Sequence, residues 1–319
     1  MRIGVLINPS AGHGHQARAV IERLEQSWSG HELLTVDGPT AGAFARAILL
    51  PEPIGGYVDR LFESVAALVA AGAEMIVTLG GDGTAAYAAE ALGERRKTIP
   101  LLGIGLGTAN VGPIVTLSGD DPVPTVESLR FEPGDAIEVL SGGSRIAAGY
   151  NDVVLGNTYL ATIDGETVTA DGQVLLQEGQ VRRGKPLDDL LAPGMRITKN
   201  SRPLPVSLPA VSQIIAAPLA EDRLYGRAVH GIYCYAPGSP TLGALTLSER
   251  PLVSYEPDDR GFDAFAPEER LLFSATDEIA ISGLDPRVLA VCDGNPWPIR
   301  DGAVTLHYVP QDVLIVKRR

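Results

Sequence analysis

Apolar residues in the first third of the chain fall into two rhythms. Short unbroken runs at residues 3–8, 75–79 and 99–104 read as strands buried on both faces. Between them, apolar positions recur at helical spacing. Ala17, Ala19, Val20, Ile21 and Leu24 mark a helix over 16–28, Leu61, Val65, Leu68 and Val69 mark another over 57–71, and a third is predicted over 84–92. Strands that alternate with helices predict a parallel sheet with crossover helices, whose ligands gather at the carboxyl ends of the strands. After about Phe131 the long helical patterns stop. Short runs at 137–140, 145–148, 153–155, 174–177, 214–217 and 231–235 predict strands, with Asp164-Gly165, Asp171-Gly172 and Pro237-Gly238 as turn signals. The stretch 182–209, rich in proline and charge, reads as an ordered excursion, with a flap as the alternative.

The fold class expected is therefore an α/β N-terminal domain with a parallel sheet and Gly-rich nucleotide loops, followed by a β-rich, sandwich-like C-terminal domain. Boundaries are placed at 1–132 and 133–309. The apolar run Val313-Leu314-Ile315-Val316 is read as a strand returning to the first domain, so that 310–319 completes it. The length of 319 residues and the 45% hydrophobic fraction suit two domains with separate cores.

Charge removes some functions. A formal net charge of −13 argues against a nucleic-acid partner and against docking on anionic lipid, both of which need a basic surface. Glu63 and Glu74 interrupt the longest apolar stretch, 61–79, and would be costly in hydrocarbon. The first residues enter a strand pattern directly, without the apolar core of a secretion signal. Cys234 and Cys292 have no close metal-ligand spacing and read as buried thiols of a reducing compartment, so a cytoplasmic protein is expected.

The candidate chemistry lies at Gly80-Gly81-Asp82-Gly83-Thr84, directly after the run 75–79. Three glycines let several main-chain N–H groups converge on a phosphate. The acid among them is poorly suited to holding phosphate but well suited to holding a cation or accepting a hydroxyl proton. The bland alternative is a tight strand-to-helix turn with an Asp cap. Other phosphate patterns are weaker. The segment 179–185 has Walker-like spacing but ends at Pro186, where a hydroxyl residue is needed. The run 103–110 lacks the third glycine of a dinucleotide fingerprint, and no Gly-x-Ser-x-Gly elbow exists. His13 and His15 read as a solvated loop, with phosphate contact as the alternative, while His31, His230 and His307 are scattered and read as structural.

Taken together, these motifs resemble the NAD kinase and diacylglycerol kinase-like superfamily, most closely the ATP-NAD kinase (AcoX-like) proteins. The resemblance rests on Asn8-Pro9-Ser10-Ala11-Gly12, on Gly80 to Thr84, on Gly107-Thr108-Ala109-Asn110, on Asn151-Asp152, and on Asp293-Gly294 with the closing runs 304–306 and 313–316. It implies a two-domain kinase, with its active site in the interdomain cleft, that moves the γ-phosphoryl of ATP to a hydroxyl with Mg2+ as cofactor. Asp82 would be the base acting on the ribose 2′-hydroxyl of NAD. Asn8, Ser10, Gly80, Gly81, Gly83, Thr84, Gly107, Thr108 and Asn110 would line the nucleotide, with helix capping as the alternative for Thr108 and Asn110. Asn151 and Asp152 would hold the acceptor, with a hairpin turn as the alternative, and Asp293 would hold metal or simply turn the chain. The Thr-x-Gly-Ser-Thr-Ala-Tyr signature of NAD kinases is absent, which leaves lipid kinase as the rival, and a non-catalytic nucleotide sensor as a third reading. Small-molecule nucleotide substrates and a homo-oligomer are the partners implied.

Overall fold

A computed structural model describes residues 1–8, 15–106, 112–163, 166–219, 242–254 and 267–318. The chain forms two compact units, one of residues 1–134 with 311–319, the other of residues 135–310.

The first unit is a parallel α/β sheet. Its elements are β1 (Arg2–Ile7), α1 (His15–Ser27), β2 (Glu32–Val36), β3 (Ile48–Leu50), α2 (Tyr57–Ala70), β4 (Met75–Gly80), α3 (Asp82–Leu92), β5 (Leu101–Gly105) and β6 (Val115–Ser118). Hydrogen-bonded neighbours run β3-β2-β1-β4-β5, every pair parallel, with β6 also alongside β5. Strands β4 and β5 are buried at every residue, which explains their unbroken apolar runs. Helix α1 lays Ala17, Val20, Ile21 and Leu24 against Ile3, Val5, Met75 and Val77 of the sheet. Helix α3 is alanine-rich and buries Ala85, Ala86, Ala88 and Ala89; small side chains of high helix propensity allow close approach on several sides.

The order of β1, β2 and β3 in one direction and β4 and β5 in the other creates a switch point between β1 and β4. In open α/β sheets a ligand crevice opens at the carboxyl ends of the strands at such a point.

The second unit is mainly antiparallel. A six-stranded sheet orders Glu268–Phe273, Leu242–Ser248, Gln213–Leu219, Val153–Gly156, Leu289–Cys292 and Asn295–Pro298. One face supplies Val153, Leu155, Ile214, Ala216 and Leu245 to a core shared with Ile137, Ile197, Ile279, Ile281 and Leu306 from the other strands of this unit, a sandwich-like arrangement. The opposite face puts Val154, Ile215 and Val291 against Tyr159 and Ala170 of the hairpin Thr158–Ile163 and Glu166–Asp171. Because both faces are covered, Gln213–Leu219 is buried throughout instead of alternating.

Two sequence expectations are corrected. Residues 174–177, expected as a strand, lie in helix α4 (Gly172–Glu178). The Asp171 side chain accepts from Gln173 N and Val174 N at 2.8 and 3.1 Å, so the Asp-Gly pair starts a helix instead of a hairpin. Gly179 ends that helix in the left-handed conformation (φ 67°), which gives the Walker-like segment a capping role at its first glycine. The excursion 182–209 is ordered in keeping with the preferred reading, with Leu191–Lys199 paired with Arg202–Leu204 and Glu278–Leu284. Residues 164–165 and 220–241, including the expected strand 231–235 and Cys234, lie outside the described residues; Cys292 is buried.

The final strand, Ala303–Arg318, pairs with Glu278–Leu284 through residues 303–307 and with β5 through Ile315↔Leu101. Within the first unit this strand also carries an ion pair of Arg96 and Asp312, with Nε–Oδ2 2.9 Å and Nη2–Oδ1 2.7 Å and both side chains 4% exposed. Removing one partner of such a pair strands a buried charge. Asp312→Ala is expected to cost about 3–5 kcal/mol in urea unfolding, and Arg96→Met with Asp312→Leu to recover most of that loss.

Candidate functional site

Adjacent parallel strands deliver several candidate residues to one edge of the first unit. Asn8 leaves β1, Gly80 closes β4, and Leu106 leaves β5. The Asn8 amide donates to Leu79 O at 2.9 Å, and the Leu106 amide to Gly80 O at 2.8 Å. The Asn8 side chain then crosses from β1 to the next loop, Nδ2 donating to Thr84 Oγ1 at 3.0 Å. Both exits flank the switch point, where the fold class places its ligands.

The Gly80–Thr84 motif divides by direction. Gly80 and Thr84 are buried, whereas Gly81, Asp82 and Gly83 are partly exposed. A Cβ on Gly80 would lie 2.6 Å from Thr84 Oγ1 and 2.8 Å from Thr84 Cβ, so the glycine makes room for the threonine folded back over it. Tyr57, at the start of α2, is 41% exposed with its hydroxyl beside Thr84; desolvation on its inner side raises the phenol pKa, and the threonine partly offsets this. Thr84, in α3, therefore links that helix to the end of β1 and lies beside the start of α2. Helix α3 starts with Gly81 at its N-cap, without a side-chain cap, and with Asp82 in its first turn, where the helix dipole favours negative charge. Asp82 Oδ1 accepts from Gly112 N at 3.0 Å, which orients its carboxylate. Ser10, Gly107, Thr108 and Asn110 lie outside the described residues, as do His13 and the side chain of His15.

The second unit gathers the other three candidates. Asp293 and Gly294 have φ of 48° and 81° at the tip of the hairpin Leu289–Cys292 to Asn295–Pro298, as a primed two-residue turn requires. The Asp293 carboxylate accepts from Tyr150 N (2.8 Å), Asn151 N (2.7 Å) and Asp152 N (3.1 Å), and its own amide donates to Asp152 O at 3.1 Å. Burial raises its pKa well above the usual carboxylate value, the Asp152 charge adds to this, and the three amides oppose it. Asn151 Nδ2 donates to Asp152 Oδ2 at 2.8 Å, leaving Asn151 Oδ1 buried without a hydrogen-bond partner among the described residues. Gly149 permits the fold-back: a Cβ there would sit 2.2 Å from Asp152 O. Among the described residues no group of three His, Cys, Asp or Glu side chains could hold a metal ion.

Tyr57 and Gly112 had no signal in the sequence. A tyrosine after two glycines and a glycine in a loop are ordinary until the sheet brings them beside Thr84 and Asp82.

Residues 2–141 match the diacylglycerol kinase catalytic domain. An uncharacterized protein of Archaeoglobus fulgidus is 32% identical over 177 residues, 54% of each chain, so this chain spans about half the length of that curated relative in the match. Yeast NADH kinase, in a crystal structure with NADH, is 14% identical and covers all of this chain and 83% of its own, with a TM-score of 0.55. A putative diacylglycerol kinase of Bacillus anthracis is 14% identical and covers 99% of this chain and 97% of its own, with a TM-score of 0.52. The α/β unit with parallel strands and the antiparallel β-rich unit are the fold shared by NAD kinases and diacylglycerol kinases. Among the described residues no helix is long and apolar enough to cross a membrane.

The fold-back at Thr84 has a measurable consequence. Gly80→Ala forces a methyl into a filled space and is expected to lower stability by about 1–3 kcal/mol in urea unfolding.

Proposed function

We propose that the chain is a phosphotransferase that moves the γ-phosphoryl of ATP to the ribose 2′-hydroxyl of NAD. The observation that carries this reading is the setting of Asp82: a partly exposed acid between two partly exposed glycines, at the first turn of a helix, beside the switch point of a parallel sheet.

Phosphoryl transfer asks for positioning and charge neutralisation more than covalent help. Gly81 and Gly83 let the main chain approach the phosphates, and the positive end of α3 offsets their charge. Asp82, oriented by the Gly112 amide, takes the proton of the attacking hydroxyl. Asn8 and Thr84 hold the two loops in register beneath the phosphates. Mg2+ suits a site with one acid, because this ion is usually held by one or two carboxylates together with substrate phosphates, and it would neutralise charge on the transferred group. Asn151 and Asp152 bind the acceptor.

A soluble acceptor is supported by the net charge of −13 and by the likeness in fold, over the whole chain, to a kinase crystallised with NADH. A lipid acceptor is the second reading, favoured by the diacylglycerol kinase match over residues 2–141.

Purified protein incubated with ATP, Mg2+ and NAD is expected to form NADP. Turnover confined to diacylglycerol micelles moves the assignment to lipid kinase, and ATP binding without turnover on either acceptor leaves a nucleotide sensor. Asp82→Asn is expected to keep ATP binding while losing at least about two orders of magnitude in kcat, the scale of a general base. An unchanged rate removes Asp82 from that role.

A further inference from the structure

We propose that Asp293 is a positioning residue for acceptor recognition: its carboxylate locks the 150–152 turn so that Asn151 Oδ1 faces an N–H or O–H donor of the acceptor. The inference rests on the acceptor-binding reading of Asn151 given above.

Strand register brings the two segments together. Leu289–Cys292 pairs antiparallel with Val153–Gly156, Cys292 opposite Val153, so the next residue out along the hairpin, Asp293, arrives beside Asp152. The primed turn at Asp293-Gly294 gives the tip one backbone geometry. Three consecutive amides, those of Tyr150, Asn151 and Asp152, form a concave anion site of the kind that elsewhere holds phosphate, and here the chain's own carboxylate fills it. With three N–H groups on its two oxygens and only 6% of the residue exposed, Asp293 is committed to the main chain instead of to a cation.

The orientation of the Asn151 carboxamide follows from its partner. The Asn151 side-chain nitrogen donates to Asp152 Oδ2 at 2.8 Å, so the carboxamide atom left over is the oxygen. That oxygen is buried without a partner among the described residues, on a residue only 7% exposed. A buried acceptor left unpaired is costly and calls for a donor. The pyrophosphate bridge of a dinucleotide, fully ionised at neutral pH, only accepts and cannot supply one, whereas an exocyclic amino group or a sugar hydroxyl can.

Asp293→Asn keeps the side-chain shape but turns a donor toward backbone donors, so at least one amide bond is lost. Hydrogen–deuterium exchange at residues 150–152 is expected to quicken at least about tenfold, and the KM for NAD to rise about tenfold or more, the scale of one charged hydrogen bond. The KM for ATP is expected to stay at its wild-type value. Asn151→Ala leaves the amide site whole; it should raise the KM for NAD similarly without faster exchange, and the double variant should be no worse than the worse single variant. Unchanged exchange in Asp293→Asn, or faster exchange with an unchanged KM for NAD, overturns the assignment. If Asp293→Asn does not fold, Asn151→Ala decides, and a wild-type KM for NAD in that variant overturns it. Wild-type protein that neither converts nor binds NAD removes the acceptor reading and this assignment with it. Wild-type turnover combined with unaffected variants removes this assignment alone.

Discussion

The architecture of the candidate phosphate site depends on one constraint, the adjacency of β1 and β4. The chain lays β1, β2 and β3 side by side and then returns to place β4 against the open flank of β1. Two parallel strands left in opposite directions cannot have their exits covered by the same crossover, so the backbone there stays accessible. The bonds from Asn8 to Leu79 and to Thr84 close this seam from below. Every feature of the Gly-rich loop builds on it: the glycine that admits Thr84, the tyrosine hydroxyl that joins from α2, and the acid that opens α3.

In the second unit the equivalent constraint is a sheet buried on both faces. With Val153 and Leu155 facing one core and Val154 the other, the strand Val153–Gly156 has no freedom to shift register. The turn before it inherits that rigidity. A carboxylate seated on three of that turn's amides then fixes a polar group beside it, although burial works against the charge that makes the bonds strong.

Much of this was legible in the sequence where burial imposes a period. The runs at 75–79 and 214–217 announce strands because no face is solvated, and Leu61, Val65 and Leu68 announce α2 because one face is. Strand β3, with Ile48 and Leu49 about half exposed, carries no such period. Residues 174–177 misread because a one-turn pattern fits either period, and the deciding feature was the Asp171 cap before it. The phosphate loop was legible as composition but not as direction. Nothing in the string Gly-Gly-Asp-Gly-Thr says that its first and last members face inward, since that depends on Asn8 and Tyr57, far away in sequence. The setting of Asp293 was hidden for the same reason, because its partners lie more than a hundred residues earlier and meet it only through register.

The final strand brings a consequence for the order of biosynthesis. Val316 is fully buried in the core of the first unit, and Ile315 is hydrogen-bonded beside β5, yet both emerge only after the whole of residues 135–310. While residues 135–310 are being made, the α/β portion therefore lacks the strand that pairs beside β5 and buries Val316. The β-rich portion can condense first, as an insertion whose own folding draws the two ends of its host together and lowers the entropy cost of closing so long a loop.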